Sequence, residues 1–551
     1  MNTLRRLLPF LNWPRPSLAL LRGEALAGLA VGLMVIPQGV AYAALAGMPL
    51  VTGIYASMLP ALIAVLFSAS TRLSVGPTAL SCLLVGASLS GLAEPGSAHW
   101  VELAVWLALL SGLLQVALGF MRFGWLLNLV NAPVLMAFTQ AAAVLIIASQ
   151  LGSLLGVQVT WSAMLSAPAV HGPSLAFGIG SLALLIVARR WKPAFPSVLL
   201  IVLVSSGLSY VLGFEAQGGQ VVGALPGGLP AVFIPSLPDL TTLSQLVLPT
   251  LIITLVSFLE TASSAKVDNE RQGTRWNQNQ DLIGQGLGKL AAGLSGAFPT
   301  SSSFSRSALN LYAGARTGWA TVFSVAVVLL VLLMFTPLLS HVPQAVLAAI
   351  VLVAVLGLIK PFEFARLWRI SKVEAGTAGA TFAITLLAAP QLYWGVLVGV
   401  LMALSHFLYQ RLHPRIIEVG LHPDGSLRDR HLWKLPPLAR HTYAFRMDAA
   451  LDFATAAEFD RTIGEHLASD PKTQHVCLFA QPINRIDVTG ADSFLKVARQ
   501  LQERDITFHV SGMKLPVEQV LIRAGWHADA PGLKLYRTEH EALLGLQAAD
   551  T

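Results

Sequence analysis

Charge is what this sequence has least of. Asp, Glu, Lys and Arg make up 12% of its 551 residues, about half the roughly 25% carried by a soluble domain. With 54% hydrophobic residues and a mean hydropathy of +0.65, that shortage excludes a soluble globular chain and points to a polytopic membrane protein. Cysteine is nearly missing too. Cys82 and Cys477 fall in an apolar helix and an apolar strand of different regions, so neither a disulfide nor a metal cluster is expected. There is no GxGxxG motif, no phosphate-binding loop and no evident nucleophile–base pair, so no cofactor and no enzyme activity are expected. The net charge of +7 is no nucleic-acid signal, because the basic residues sit in short loops between apolar runs. Met1 to Leu21 lacks a clean apolar core ending in small residues, so no cleavable leader is expected.

What is there is a polar interruption that occurs twice. Gly296-Ala297-Phe298-Pro299-Thr300-Ser301-Ser302-Ser303-Phe304-Ser305-Arg306-Ser307-Ala308-Leu309-Asn310 is hydroxyl-rich and charged, yet lies between apolar segments of spanning length. Such a break is tolerable at membrane depth only where it is buried in protein or lines a watery cavity. Pro299 fits an extended approach, and Ser301 to Ser303 can cap a helix starting near Ser302. Its free N–H groups, its positive dipole end and Arg306 about one turn in make an anion site. Ser70-Thr71-Arg72-Leu73-Ser74-Val75-Gly76-Pro77-Thr78-Ala79-Leu80-Ser81 repeats the pattern, with Pro77 suited to the first helical position. Paired interruptions in two halves point to a transporter binding site. The alternative is two ordinary loops between full spans.

The apolar segments predict fourteen spans at the ~20 residues each that a bilayer requires. The first seven run about Ala25–Gly47 (with a break at Ile36-Pro37-Gln38-Gly39), Thr52–Ala69, the interrupted third to Gly91, Val101–Phe120, Trp125–Leu151, Pro173–Val187 and Phe195–Leu212. A Gly/Pro-rich loop, 215–245, divides the halves. The second seven run about Leu246–Ala265, Leu282–Ala297, the interrupted tenth, Trp319–Pro337, Val342–Ile359, Ala375–Ala388 and Leu392–Tyr409. An odd number per half inverts the second copy. Alternate loops carry Arg72, Arg122, the Arg189-Arg190-Lys192 cluster, Lys266 to Arg275, Arg316 and the Lys360 to Lys372 cluster, while loops 92–100, 152–172 and 213–245 contain no Lys or Arg. The positive-inside rule then places both termini in the cytoplasm, with basic residues 1–24 as a cytoplasmic segment on the inner membrane surface. Lys289 within span 9 is expected to snorkel to that surface, with a place in the pathway as the alternative.

After His413 charge rises to soluble density. Residues 413–436 read as a linker. Strands at Tyr443–Met447, His475–Phe479 and Ile506–Val510 alternate with helices at Thr455–Leu467, Asp492–Glu503 and Val517–Ala524, predicting a cytoplasmic α/β domain over 437–551.

Several stretches carry a family resemblance. Pro37-Gln38-Gly39-Val40-Ala41-Tyr42-Ala43, Ala46-Gly47-Met48-Pro49 and Thr52-Gly53-Ile54-Tyr55 resemble the first-span signature of the sulfate permease family, also called solute carrier family 26. Ser74-Val75-Gly76-Pro77-Thr78-Ala79 and Gln280-Asp281-Leu282-Ile283-Gly284-Gln285-Gly286-Leu287-Gly288 are similar to its later signatures. Asn484-Arg485-Ile486-Asp487-Val488-Thr489-Gly490 resembles a loop of the sulfate-transporter and anti-sigma-factor-antagonist (STAS) domain. The resemblance implies two inverted seven-span repeats forming a transport domain over 25–412. Spans 1–4 and 8–11 would make a core and spans 5–7 and 12–14 a gate, with transport of small anions as one moves against the other. It also implies a homodimer and, for a bacterial member, the cytoplasmic (inner) membrane and symport with H⁺ or Na⁺.

It further implies residue roles. Ser303, Phe304, Ser305 and Arg306 match the family's anion site, which Gly76, Pro77 and Thr78 would complete from the other repeat. Gln38 and Tyr42 match positions lining the same pocket; interhelical hydrogen bonding is their alternative. Glu260 matches a carboxylate that binds the coupling cation; the alternative is a permanent salt bridge to Arg306 or Lys289. Many bacterial relatives carry a carboxylate where this chain has Gln38, which cannot titrate. Thr489 matches a residue phosphorylated in soluble relatives, against the simpler reading of a hydroxyl at a helix N-terminus. The expectation is a cation-coupled symporter of dicarboxylates such as fumarate or succinate. Sulfate or bicarbonate transport, or an uncoupled exchanger or channel, stands as the alternative. A nucleobase permease of similar fold would place a carboxylate where Arg306 stands.

Overall fold

The computed structural model describes residues 8–157, 170–191, 197–526 and 531–549. Arg5, Arg6, Lys192 and most of the 152–172 loop lie outside them. The described chain divides into two compact units, Met1–Ala403 and Leu404–Thr551.

In the first unit, six helices among the described residues are long and apolar enough to cross a bilayer, beginning with Leu18–Leu45, and five shorter apolar helices accompany them. With Gln278–Leu294, Phe304–Tyr312 and Lys372–Leu387, they occupy the fourteen expected positions as two inverted seven-span repeats. Two expectations change. Span 1 is one continuous helix, Leu18–Leu45, with Pro37 inside it; the residues around Pro37 are buried, and tertiary packing holds the helix across the lost hydrogen bond. Span 2 is two pieces, Thr52–Tyr55 and Leu59–Phe67, the second with Pro60 in its first turn.

Small residues set how closely the spans approach. A Cβ on Gly112 of span 4 (Ala98–Phe120) would sit 2.8 Å from the Gly286 carbonyl oxygen of span 9, and one on Gly286 would sit 2.7 Å from the Gly112 oxygen. Between membrane helices, where the hydrophobic effect gives no drive, such backbone proximity is what dispersion requires. Span 1 packs in the same way on span 11, Trp319–Met334, through Gly28 and Gly32. Spans 5, 6, 12 and 13 pack on one another as a second group.

The two polar interruptions meet. Strand β1 (Val75–Gly76) and strand β2 (Ser301–Ser302) pair antiparallel, Val75 opposite Ser302 and Gly76 opposite Ser301. Each is followed at once by a short helix, Ala79–Leu89 and Phe304–Tyr312. Backbone that would be unpaired in lipid is thus paired with the other repeat.

The second unit is built on a six-stranded sheet of order β4-β3-β5-β6-β7-β8. Its strands are β3 Ile416–Leu421, β4 Leu427–Asp429, β5 Thr442–Met447, β6 His475–Phe479, β7 Thr507–Ser511 and β8 Leu533–Tyr536. β5 to β8 run parallel and β3 and β4 antiparallel. Tyr443, Phe445, Val476 and Leu478 face helices Ala456–Ser469 and Val488–Glu503, while Ala444, Cys477 and Phe479 pack with Ala542 and Leu546 of helix Glu539–Ala549. The 413–436 stretch is therefore not a plain linker: it supplies β3 and β4.

Candidate functional site

The site begins with two capped helix starts. Thr78, not Pro77, caps the Ala79–Leu89 helix: its hydroxyl accepts from the Ser81 N–H at 3.3 Å. Pro77 stands one residue earlier, a correction to its expected place inside the helix. Ser303 caps the Phe304–Tyr312 helix and accepts from the Arg306 N–H at 3.4 Å, as the serine run predicted. The antiparallel strands bring these two N-termini, each with unsatisfied N–H groups and a positive dipole end, to one place.

Arg306 lies between them and is fully buried. Its Nε donates to Ser74 Oγ at 3.3 Å and its Nη1 to the Pro77 carbonyl at 2.8 Å, both on the other repeat. Its Nη2 is buried without a hydrogen-bond partner, and a Cβ added at Gly76 would lie 3.3 Å from it. A buried guanidinium with an unused donor is costly unless a ligand completes it. The same crossing is tied by Ser74 N–H to Ser307 Oγ at 3.0 Å and Ser303 N–H to the Ser74 carbonyl at 3.0 Å.

Glu260 is on the 33-residue helix Leu240–Gln272. Thr78 and Ser81 donate their hydroxyls to its Oε2, at 3.0 and 3.2 Å. Among the described residues it forms no ion pair with Arg306 or Lys289, so the permanent salt bridge does not describe it. Lys289 is fully buried and donates to Ser257 Oγ. It does not snorkel: its place on span 9, facing span 8, keeps its stem and ammonium inside the helix packing.

A cavity of about 820 Å³ opens beside these helices. Gln38, Phe304 and Ser305 line it, together with Ser264 of span 8 and Ile350 and Val353 of span 12. Gln38 is buried with its Oε1 unpartnered, and Phe304 is 58% exposed. Tyr42, one turn from Gln38, is buried and does not line the cavity; nor do Gly76, Pro77, Thr78, Ser303 and Arg306. The expected set thus divides into a face on the cavity and a braced cluster around Arg306. Sequence reasoning missed Ser74, Ser81, Ser257 and Ser307. Only Ser81 had a local signal, one turn after Thr78.

In the second unit, Thr489 is exposed near the start of helix Val488–Glu503. Asp487, not Thr489, is the cap, accepting from Gly490 N–H at 2.8 Å.

Two inverted repeats, broken where they cross and braced there by an arginine, are the architecture of a multi-pass membrane transport protein. The comparisons place it further. Residues 21–381 match the sulfate permease family and 437–542 the STAS domain. A probable sulfate transporter of Mycobacterium tuberculosis is 32% identical over 511 residues, covering 91% of each chain. The probable sulfate transporter 4.2 of Arabidopsis thaliana is 31% identical over 532 residues, covering 91% of this chain and 77% of that one. Solute carrier family 26 member 6 of Homo sapiens is 30% identical over 502 residues, covering 84% and 65%. The chain belongs to the sulfate permease family. In fold it matches SLC26A9 with a TM-score of 0.89 at 19% identity, over 100% of this chain and 94% of that one. It matches the transmembrane domain of a cyanobacterial bicarbonate transporter, BicA, at 0.60 and 20% identity, over 71% and 98%.

Proposed function

We propose that this anion transporter is a cation-coupled symporter of small dicarboxylates, fumarate or succinate in size. It works in a bacterial cytoplasmic membrane as a homodimer with both termini inside. The observation that carries the reading is the unpartnered Nη2 of buried Arg306, held where two helix N-termini converge. An anion there would accept from that nitrogen. The anion enters through the cavity faced by Gln38, Phe304 and Ser305, whose size suits a four-carbon diacid. It is then held by Arg306, by Ser303 and by the free N–H groups of both helices. Core spans 1–4 and 8–11 move against the gate spans and carry the site across. Glu260 takes the coupling cation, because each net charge moved costs about 2.3 kcal/mol per 100 mV.

Sulfate is the second reading, favoured by the names of the relatives most similar in sequence. The same guanidinium and N–H donors suit its tetrahedral dianion. Uptake of labelled fumarate, succinate, sulfate and bicarbonate into proteoliposomes, under H⁺ and then Na⁺ gradients, tests both. Concentrative uptake of the dicarboxylates supports the first reading and sulfate uptake alone the second. Failure of every anion removes both.

A further inference from the structure

Lys289 has no part in the transport reading above, yet it is fully buried beside the coupling carboxylate. Its ammonium donates to Ser257 Oγ, and Ser257 stands three residues before Glu260, on the same face of the same helix. The titratable and charged groups that face Glu260 are Lys289 of span 9, Arg306 of span 10, Tyr42 of span 1 and Cys82 of span 3. Two of them are basic side chains and none is a second carboxylate.

Ser257, a hydroxyl on the same helix face as Glu260, is fully spent. A hydroxyl has one hydrogen and two lone pairs. Ser257 Oγ gives its hydrogen to the Thr254 carbonyl at 3.1 Å, and its lone pairs accept Gln115 Nε2 at 3.2 Å and Lys289. Thr78 and Ser81 point their hydrogens at the carboxylate, and Thr78 also accepts from Ser81 N–H. Ser301 Oγ donates to the Ser257 carbonyl at 3.0 Å. Ser257 Oγ, with its hydrogen and both lone pairs engaged, has nothing left for a sodium ion, and an ammonium on Lys289 would repel that ion. A proton needs only one carboxylate oxygen.

We propose that Lys289 is the residue that sets cation selectivity: it excludes Na⁺ from Glu260 and leaves H⁺ as the coupling ion. This rests on the reading of Glu260 as the coupling group. The test uses the purified full-length chain and its Lys289→Asn, Lys289→Gln and Lys289→Arg variants. Labelled fumarate, sulfate and bicarbonate uptake into proteoliposomes is measured in Na⁺ and in choline. The thermal unfolding midpoint in detergent is measured in NaCl and in choline chloride. The parent and Lys289→Arg are expected to respond to an H⁺ gradient and to ignore Na⁺ in both measurements. Lys289→Asn or Lys289→Gln should gain roughly 5-fold stimulation by about 100 mM Na⁺, with an unfolding midpoint raised by about 2 °C or more. Na⁺ stimulation or Na⁺ stabilisation of the parent overturns the proposal on the parent alone, whether or not the variants fold. Folded Asn and Gln variants that stay indifferent to Na⁺ also overturn it. If no anion is taken up by any protein while the midpoints behave as expected, the transport reading and H⁺ coupling fail, and only the exclusion of Na⁺ by Lys289 stands.

Discussion

The two broken segments share a plan and differ in how they are finished. After β1, the Ala79–Leu89 helix is almost wholly apolar and buried, and its cap, Thr78, also serves Glu260. After β2, the Phe304–Tyr312 helix is amphipathic: Phe304 and Ser305 are exposed on the cavity, which Ser307 also lines, while Arg306 and Asn310 are buried away from it. The first half is a buried floor joined to Glu260. The second presents a face to the cavity and reaches back with a charge. The two copies thus share a geometry, one tied to Glu260 and the other carrying Arg306.

Removing the charge breaks this comparison most severely. Arg306→Ala takes away the anion's partner and the brace to Ser74 and Pro77, so uptake should fall roughly 100-fold or more while the protein still inserts in the membrane. Arg306→Lys, a point charge without the fork, should recover only part of the rate. Near-normal uptake by Arg306→Ala would remove it from the site.

Next comes the link between the halves. Glu260→Gln keeps two acceptor–donor contacts with Thr78 and Ser81 but cannot hold a coupling charge. In the proposed symport, cation and anion binding are reciprocally linked, so accumulation against a gradient should drop about 10-fold or more while exchange persists. Accumulation as steep as the parent's makes the carboxylate structural.

Gly76→Ala probes the crossing itself. Its Cβ, 3.3 Å from Arg306 Nη2, would crowd the unpartnered nitrogen, and a cost of about 1–2 kcal/mol for overpacking translates to roughly 10-fold weaker anion binding. An unchanged KM for uptake would place the anion away from Nη2.

The caps give the smallest effect and sharpen the comparison. Thr78→Ala should destabilise the protein by about 1 kcal/mol, and Ser303→Ala by less, because Ser303 is only half-buried and caps at 3.4 Å. Thr78→Ser should restore the stability. Equal losses in both alanine variants would mean that the hydroxyl contact with Glu260 adds nothing to the cap.

Much of this plan was legible because it is written in local chemistry. A hydroxyl run after a proline, at spanning depth, announces a capped broken helix, and Ser303 and Arg306 stand where that rule puts them. The fourteen spans follow from apolar length and the two repeats from their odd count. What could not be read depends on partners distant in sequence. Nothing near Pro37 shows that packing keeps its helix whole, and nothing near Lys289 shows that Ser257 waits for it. That Thr78 and Ser81 address Glu260 is a matter of crossing angle. β3 and β4 were missed for a different reason. Glu418 of β3 pairs with Arg430 and Asp429 of β4 with Arg415; charges within β3 and on the short edge strand β4 look like loop.

The strand pair that joins the halves also sets a clock on biosynthesis. Ser74 and Ser307 are bonded across 233 residues. A ribosome adding about 5–20 residues per second takes about 10–50 s to cover that distance. For that interval the first repeat sits in the membrane with the polar backbone of Val75 and Gly76 lacking its ladder, and hydrocarbon offers no substitute. The half-made chain therefore depends on water or on the insertion machinery to shelter that segment. A mutation that delays the second repeat would be felt in yield before it was felt in transport.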